Sequence, residues 1–254
     1  MAYGYMHNWN QANEYISIPK GQVTAGTAIG ILVLDICYPL LPGNVANATT
    51  FNFPVYYKCL EGASDGILRA DPIILDLVIK GGRELERQGV RAIVGACGYF
   101  ANYQKVAAAE LNVPTFLSSL LQIPIIARGL KPNQKVGVIC ADANALSPAM
   151  LSACGVDDPS IIVVAGAQDL PDMQNILQSC GHFNSFRFEQ GLCDIAKALV
   201  SKNPDIGAIL LECSDMPPYA WSIQNSVKLP VFDFTTMINW VYSAVVRHPF
   251  AGFI

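Results

Sequence analysis

The hydrophobic positions of this chain fall into short apolar runs, separated by longer stretches in which apolar and polar residues alternate with helical spacing. The clearest apolar runs, typical of strands buried on both faces, cover residues 29–34, 136–142 and 161–166, and residues 54–60 predict a further strand of mixed polarity. The clearest helical stretches cover residues 71–88, 99–111, 187–202 and 236–247. Because strands alternate with helices, the pattern predicts an α/β fold built from parallel βαβ units.

One apolar run occurs twice, and each copy ends in a cysteine that is followed by small or turn-forming residues. The first copy ends at Cys97 and the second at Cys213, and a proline lies 17 residues after each of them, at Pro114 and Pro230. Both prolines open similar apolar segments that carry hydroxyl groups at Ser118, Ser119, Thr235 and Thr236. This repeat predicts one supersecondary unit used twice, with a thiol at the carboxyl end of a strand, where ligands bind in parallel sheets.

Composition narrows the function classes. The chain has 254 residues, of which 52% are hydrophobic and only 14% charged, which suits parallel sheets covered on both faces. A net charge of -4 leaves no basic stripe for nucleic acid, and no apolar run is long enough for a bilayer helix. The N-terminal residues lack the basic and then apolar pattern of a signal peptide. We therefore expect a cytoplasmic protein with neither nucleic-acid nor membrane partners.

The cysteines divide into a matched pair and six others. Eight cysteines in 254 residues are too dilute for a disulfide scaffold, so we interpret them as reduced thiols. The three histidines are scattered and predict no metal site with them. Only Cys97 and Cys213 occupy equivalent places in the repeat. The remaining cysteines are interpreted as structural, and they are Cys37, Cys59, Cys140, Cys154, Cys180 and Cys193.

Two thiols on opposite walls of one cleft could act as an acid/base pair on a carbon acid. One thiolate removes a proton while the other thiol returns a proton to the opposite face, which inverts a stereocentre without a cofactor. The developing charge needs hydrogen-bond donors. The sequence offers backbone N–H groups after each cysteine and the hydroxyls of Ser118, Ser119, Thr235 and Thr236.

Five segments together resemble the aspartate/glutamate racemase superfamily, which includes hydantoin racemases, maleate isomerases and arylmalonate decarboxylases. The resemblance spans about residues 28–245. It is carried by residues 42–47, by Cys97-Gly98-Tyr99-Phe100, and by residues 118–122, 212–219 and 231–233.

This resemblance implies two pseudo-symmetric, flavodoxin-like or Rossmann-like α/β lobes, each with a mainly parallel sheet, and a cofactor-independent active site between them. The first lobe would comprise residues 27–130 and 230–254, and the second residues 131–229. Cys97 and Cys213 would be the two proton-transfer residues. The implied substrate-binding residues in the loops after the strands are Asn44, Asn47, Gly98, Tyr99, Ser214 and Asp215.

The sequence departs from the superfamily pattern after both cysteines. Amino-acid racemases of the superfamily commonly follow the first cysteine with Asn-Thr and the second with Thr and then His or Glu. Here the successors are Gly98-Tyr99 and Ser214-Asp215. We expect an isomerase, namely a racemase or epimerase that inverts the α-carbon of a small carboxylate such as an amino acid or a hydantoin-like compound.

Two alternatives to this function stay open. One is maleate-isomerase-like or lyase chemistry on a dicarboxylate, with one cysteine as a nucleophile. The other is a catalytically silent protein that binds a small carboxylate. Residues 1–26 are expected to form a polar, aromatic N-terminal arm, and its aromatic residues make a homo-oligomer the expected assembly.

Overall fold

The computed structural model describes residues 20–64 and 66–254, and within these ranges the chain forms eight strands and eight α-helices. Most of the N-terminal arm expected over residues 1–26, namely residues 1–19, lies outside the described residues. All of the strand pairs are parallel, and they form two sheets of four strands each. The predicted α/β fold class is therefore confirmed. No helix within the described ranges is long and apolar enough to span a bilayer.

The first sheet has the order β2-β1-β3-β4. Its strands are β1 (Ile29–Leu34), β2 (Val55–Leu60), β3 (Ala92–Gly95) and β4 (Thr115–Phe116). Three helices connect or follow these strands, namely α1 (Ile73–Arg87), α2 (Gln104–Glu110) and α3 (Ile123–Gly129). The strand cores are buried because their side chains are apolar on both faces, as a sheet covered by helices on both sides requires.

The second sheet repeats this order as β6-β5-β7-β8. Its strands are β5 (Lys135–Cys140), β6 (Ile162–Gly166), β7 (Ile206–Leu211) and β8 (Val231–Phe232). The helices of this part are α4 (Pro148–Ala153), α5 (Pro171–Leu177), α6 (Ser185–Lys202) and α7 (Ala220–Val227), and α8 (Phe234–Val245) closes the chain. The shared strand order confirms that one unit occurs twice.

The C-terminal helix returns to the first sheet. Four buried residues of α8 pack into one core cluster with residues of β1, β3 and the loop after β1, and they are Phe234, Met237, Ile238 and Val241. Strand β8, however, pairs with β7 in the second sheet. The assignment of residues 230–254 to the first lobe stays a prediction. Within this range the chain leaves the second sheet after β8 and joins the core of the first sheet from Phe234 onward. Asp233 also caps α8 by accepting the N–H of Thr236.

Four helical stretches differ from the sequence pattern, and one of them is the eight-residue helix α7, which the pattern does not predict. The predicted helix over residues 99–111 begins as a 3-10 segment over residues 98–103, and only its second part is α-helical. The sequence pattern also predicts a helix around residues 144–153, but α4 begins only at Pro148, because a proline disfavours helical conformation in the residue before it. Helix α5 was not predicted, since its seven residues are too few to display a clear helical period.

Each of the two cysteines lies at the point of its sheet where the order of strand addition reverses. In each sheet the chain proceeds to one side of the first strand and then crosses to the other, so a crevice opens between β1 and β3 and between β5 and β7. Cys97 follows β3 and Cys213 follows β7. The topology therefore places one predicted cysteine at the crevice of each lobe, Cys97 in the first and Cys213 in the second.

Gly43 lies where the loop after β1 meets the loop after β7. Its φ of 101° is in the left-handed region, and a Cβ there would lie 2.9 Å from the Cα and 3.0 Å from the N of Pro218. Pro218 presents backbone at this contact, so it cannot move aside as a flexible side chain could. A glycine is therefore required at position 43 for close contact between the lobes.

We expect Gly43→Ala to destabilise the fold by about 1–3 kcal/mol, because the new methyl group adds overpacking to a strained backbone conformation. For a domain of this size, thermal unfolding should show a midpoint lower by roughly 3–10 °C. Gly129→Ala is the matched control, since a Cβ at that position has no neighbour within 4 Å. Equal melting temperatures for the two variants would contradict the interpretation of Gly43.

Candidate active site

A cavity of about 250 Å³ lies at the carboxyl ends of the strands, between the two lobes. Cys97 and Cys213 both line it. Besides the two cysteines, the polar residues that line the cavity are Tyr38, Tyr57, Ser64, Tyr99, Glu212, Ser214 and Asp215. Among the described residues that line this cavity, none is a lysine, an arginine or a histidine. Both of its ionisable carboxyl groups, Glu212 and Asp215, belong to the loop that begins at the end of β7.

A larger groove of about 520 Å³ lies along α1 and α2, but it is an open surface groove. Its charged lining includes Arg83 and Glu110, which form a salt bridge of 3.1 Å with more than half of each side chain exposed. The described residues that line this groove include no cysteine. We therefore place the candidate active site in the smaller, more enclosed cavity.

The Cys213 wall of the cavity is a hydrogen-bonded group centred on Asp215. The thiol of Cys213 donates to Oδ2 of Asp215 at 3.3 Å. Oδ1 of the same carboxyl accepts the hydroxyl of Tyr38 at 2.5 Å and the Nδ2 group of Asn44 at 2.6 Å. Tyr38 and Asn44 follow β1, so these bonds join the first lobe to the second and hold the carboxyl beside the sulfur.

Both members of the Cys213–Asp215 pair have raised pKa values. Burial raises the pKa of the Cys213 thiol well above its ordinary value, and the negative charges of Asp215 and Glu212 add to this. Burial also raises the pKa of Asp215, although the hydrogen bonds from Tyr38, Cys213 and Asn44 oppose the rise. The resting thiol is therefore protonated, with a proton acceptor already in contact with it.

The Cys97 wall has a different environment. Cys97 follows β3 and is half-buried, and the backbone N–H groups of Tyr99 and Phe100 lie near its sulfur. Burial raises the pKa of this thiol, and the charge of Glu212 raises it further, whereas the two N–H groups lower it. The repeat thus places two thiols at equivalent positions, but only Cys213 has a carboxyl group as a direct hydrogen-bond partner.

Glu212 lies behind the loop that follows Cys97 and is completely buried. Its Oε2 accepts the backbone N–H of Ala141 at 3.1 Å, whereas its Oε1 has no hydrogen-bond partner among the described residues. A Cβ on Gly98 would lie 1.8 Å from this Oε1, so only glycine leaves room for the carboxyl group. Burial raises the pKa of Glu212 to about 8, and the charges of Asp215 and Asp142 contribute.

Five of the predicted substrate-binding residues belong to the site. Gly98, Tyr99, Ser214 and Asp215 line the cavity. Asn44 is buried and reaches the site through its hydrogen bond to Asp215. Tyr99 is held by two hydrogen bonds to the backbone of residue 142, and Ser214 donates to the carbonyl oxygen of Ala96. These contacts make the two loops that follow the cysteines one connected wall.

The predicted residues Asn47, Ser118 and Ser119 are not brought to the cavity. Asn47 accepts the N–H of Thr49 and caps the short 3-10 segment over residues 48–50. Ser118 accepts the N–H of Leu120 in the same manner. Ser119 donates to the carbonyl oxygen of Leu211 at 2.9 Å, which joins the first lobe to the end of β7. Their polar groups stabilise loops and the contact between lobes.

Thr235 and Thr236 also lie away from the cavity lining. The hydroxyl of Thr235 donates to Oδ1 of Asp233, which in turn accepts the N–H of Thr236. The hydroxyl of Thr236 contacts the backbone of Asp233 and the side chain of Gln122. These threonines form the N-terminal cap of α8, because the segment after β8 starts a helix that leaves the cavity.

Sequence reasoning missed Tyr38, Tyr57 and Glu212 as members of the site. Tyr57 is on β2, which carried no chemical signal of its own, and Tyr38 lies in the loop after β1. Glu212 did offer a signal, because it is a carboxyl group at the end of an otherwise fully apolar strand. A buried acid directly before a candidate catalytic cysteine could have been identified from that pattern.

No protein-family model matches this chain. Among curated proteins, it is 28% identical over 236 residues to dimethylsulfoniopropionate lyase 7 of Emiliania huxleyi strain CCMP1516, covering 89% of this chain and 69% of the relative. It is also 28% identical over 233 residues to a dimethylsulfoniopropionate lyase of Durusdinium sp. clade D, covering 89% and 77%.

Solved structures of racemases and a decarboxylase have the same fold. Unliganded arylmalonate decarboxylase matches with a TM-score of 0.55 and 16% identity, over 86% of this chain and 92% of that protein. Allantoin racemase from Klebsiella pneumoniae matches with a TM-score of 0.57 and 15% identity, over 86% of this chain and 89% of that protein. A glutamate racemase from Bacillus anthracis matches with a TM-score of 0.53 and 12% identity, over 86% of this chain and 82% of that protein.

These comparisons confirm the resemblance to the aspartate/glutamate racemase superfamily at the level of the fold. The sequence relatives and the structural neighbours named above are all enzymes, which supports an enzyme here. The sequence relatives are lyases, whereas the racemases are similar in structure at low sequence identity. The names of the sequence relatives therefore fit the lyase alternative, and the expected isomerase is supported by the fold alone.

Proposed function

We propose that this chain is a lyase that releases dimethyl sulfide from dimethylsulfoniopropionate, or from a closely related β-sulfonio carboxylate, and leaves acrylate. The observation that carries the proposal is the charge of the cavity. Its described lining has two carboxyl groups, three tyrosines and no cationic side chain. The sequence relatives that bear the name of this lyase agree with it.

The cavity lining favours a zwitterion over a dicarboxylate. A dicarboxylate would bring two negative charges next to Asp215, with no described cation in the lining to offset them. A sulfonium carboxylate is neutral overall, and its cation is stabilised by carboxyl groups and by the faces of tyrosine rings. The proposed substrate therefore differs from the dicarboxylate of the lyase alternative drawn from the sequence.

Cys213 is the base of the proposed reaction. Its proton passes to Asp215, and the resulting thiolate removes a proton from the carbon next to the substrate carboxylate. The electron pair of that C–H bond forms the double bond to the β-carbon, and the pair of the C–S bond leaves with sulfur. Dimethyl sulfide departs as a neutral molecule, so no second acid has to protonate it. Asp215 then releases its proton to solvent.

The positive charge of the substrate supports ionisation of Cys213. The thiol is protonated at rest because it is buried and has acidic neighbours. A sulfonium in the cavity stabilises the thiolate and the developing charge next to the carboxylate, since opposite charges interact strongly where water is excluded. The thiolate is thus formed when the correct substrate is bound.

A second candidate function is racemisation at an α-carbon, and it is favoured by the matched positions of Cys97 and Cys213. Inversion requires both thiols, because the second one returns a proton to the opposite face. Only Cys213 has a carboxyl partner, however, and this difference between the two walls supports a reaction with a single base.

The proposal is tested by incubating the reduced protein with dimethylsulfoniopropionate and measuring dimethyl sulfide in the headspace and acrylate by proton NMR. We expect equal amounts of both products. The same protein is incubated with L-aspartate and allantoin in deuterated buffer, where α-proton exchange with inversion would reveal a racemase. Inversion of either compound without dimethyl sulfide release would overturn the lyase assignment in favour of the second candidate.

A further inference from the structure

One carboxyl oxygen of the cavity wall has no protein partner. Glu212 is completely buried, and its Oε1 makes no hydrogen bond among the described residues, although its Oε2 is held by Ala141. A buried polar atom without a partner destabilises the folded state, so native folds rarely keep one without a purpose. The orphaned oxygen lies against Gly98, which itself lines the cavity.

Gly98 makes this arrangement possible. A Cβ at position 98 would lie 1.8 Å from Oε1 and 2.5 Å from the backbone oxygen of Glu212. Any other residue would therefore displace the carboxyl group. The Gly98 backbone separates Cys97 from Tyr99, and the lack of a side chain there leaves the acid close to the cavity surface.

The proposed substrate has a carboxylate for which the described lining provides no cation. The hydroxyl groups that the sequence predicts for this task are occupied elsewhere. Ser119 donates to the end of β7, and the two threonines at positions 235 and 236 cap α8. Besides the backbone N–H groups after each cysteine, a neutral carboxylic acid is a donor that adds no charge of its own to the cavity.

We propose that Glu212, in its protonated form, donates the Oε1 hydrogen to the substrate carboxylate and so binds and orients the substrate. This inference rests on the proposed lyase function for the identity of the substrate. Removal of the α-proton shifts negative charge onto the substrate carboxylate, so the hydrogen bond becomes stronger as the reaction proceeds. A neutral acid held in an apolar site is a known way to stabilise such an oxyanion.

The surroundings of Glu212 keep its proton in place at neutral pH. The titratable groups that face it come from the end of β5 and from the loops after β3, β5 and β7. They are all acids, namely Cys97, Tyr99, Cys140, Asp142, Cys213 and Asp215. Burial and the charges of Asp215 and Asp142 raise the pKa of Glu212 to about 8. The acid is a donor below this pH and loses its proton as the pH rises through it.

The test uses propionate, which has the carboxylate of the substrate but no leaving group. Isothermal titration at pH 7 and pH 9, in two buffers with different ionisation enthalpies, counts the protons taken up on binding. We expect the unmodified protein to take up about one proton per propionate at pH 9 and much less at pH 7, because binding requires the protonated acid. Failure to bind propionate at millimolar concentrations would overturn the proposal.

Two variants separate Glu212 from the other acids. Glu212→Gln keeps an N–H donor that cannot titrate, so it should bind propionate at pH 9 without proton uptake. Glu212→Met keeps the length of the side chain without a donor and should bind about tenfold or more weakly, as loss of a hydrogen bond to a charged group implies. Persistent proton uptake by the Gln variant, or unchanged affinity of the Met variant, would overturn the proposal. The Gln variant decides the question if the Met variant does not fold.

The rate of dimethyl sulfide release provides a second readout. The unmodified enzyme should lose activity above about pH 8, as Glu212 ionises, whereas the Gln variant should lack this alkaline decline. The inference and the proposed function can fail separately. Propionate binding with proton uptake but no dimethyl sulfide release would retain the carboxylate site and refute the lyase. Dimethyl sulfide release with the same alkaline decline in the unmodified enzyme and the Gln variant would retain the lyase and refute the role of Glu212.

Discussion

Replacement of Cys213 by serine is expected to lower the rate of dimethyl sulfide release by about 10³-fold or more, because a positioned general base contributes 10²–10⁴-fold. Serine preserves the size and the hydrogen bond to Asp215 but is far less acidic than a thiol. The measurement is kcat for dimethyl sulfide release by headspace gas chromatography. Circular dichroism and the melting temperature should be close to those of the unmodified protein.

Cys97→Ser and Cys180→Ser are the matched comparisons. Cys180 is exposed and does not line the cavity, so its replacement should leave the rate unchanged. Cys97 lines the cavity but has no role as base in the proposed elimination, so its replacement should reduce the rate by about tenfold or less. Equal and complete loss of activity in the Cys97 and Cys213 variants would indicate that both thiols transfer protons, as a racemase requires.

Replacement of Asp215 by asparagine should lower kcat by about 10²–10³-fold, within the range expected for loss of a proton acceptor. The amide has nearly the same shape, but it cannot take the proton of Cys213. The amide also has only one oxygen that accepts hydrogen bonds, whereas the two carboxylate oxygens accept from Tyr38, Asn44 and Cys213. The expected result is a slow enzyme whose melting temperature is similar to that of the unmodified protein.

Asp157→Asn serves as the control, because Asp157 is an exposed carboxylate that accepts a hydrogen bond from Ser152 and does not line the cavity. The pH dependence gives a further check on Asp215. Its variant should require a higher pH to form the thiolate, since the direct proton acceptor is missing. An Asp215 variant with normal kcat and an unchanged pH profile would show that Cys213 ionises by another route.

The strands and the two cysteines were predictable because their signals are local. A strand buried on both faces needs an unbroken apolar run, and residues 29–34 and 206–211 show such runs. The doubling of one run with its cysteine predicted two related sheets, and both sheets have the same strand order. Parallel topology then brings the carboxyl ends of the strands, and the thiols that follow them, to the crevices.

The partners of polar side chains were less predictable. Ser118, Ser119 and Asn47 have the hydroxyl or amide groups that a carboxylate site needs, but caps and turns use the same groups. Which use prevails depends on the element that the chain forms next. Thr235 and Thr236 serve a helix cap because α8 begins at residue 234, and a helix that begins there requires a cap at Asp233.

The amino-acid sequence by itself thus determined the α/β class, the duplicated unit and the positions of Cys97 and Cys213, since these follow from apolar periodicity along the chain. Only the tertiary structure decided the character of the cavity. It placed Tyr38 and Asn44 of one lobe on Asp215 of the other, and it left an oxygen of Glu212 without a partner beside Gly98. Charge, burial and hydrogen bonding at such a site depend on residues distant in sequence, and they exist only when the lobes meet.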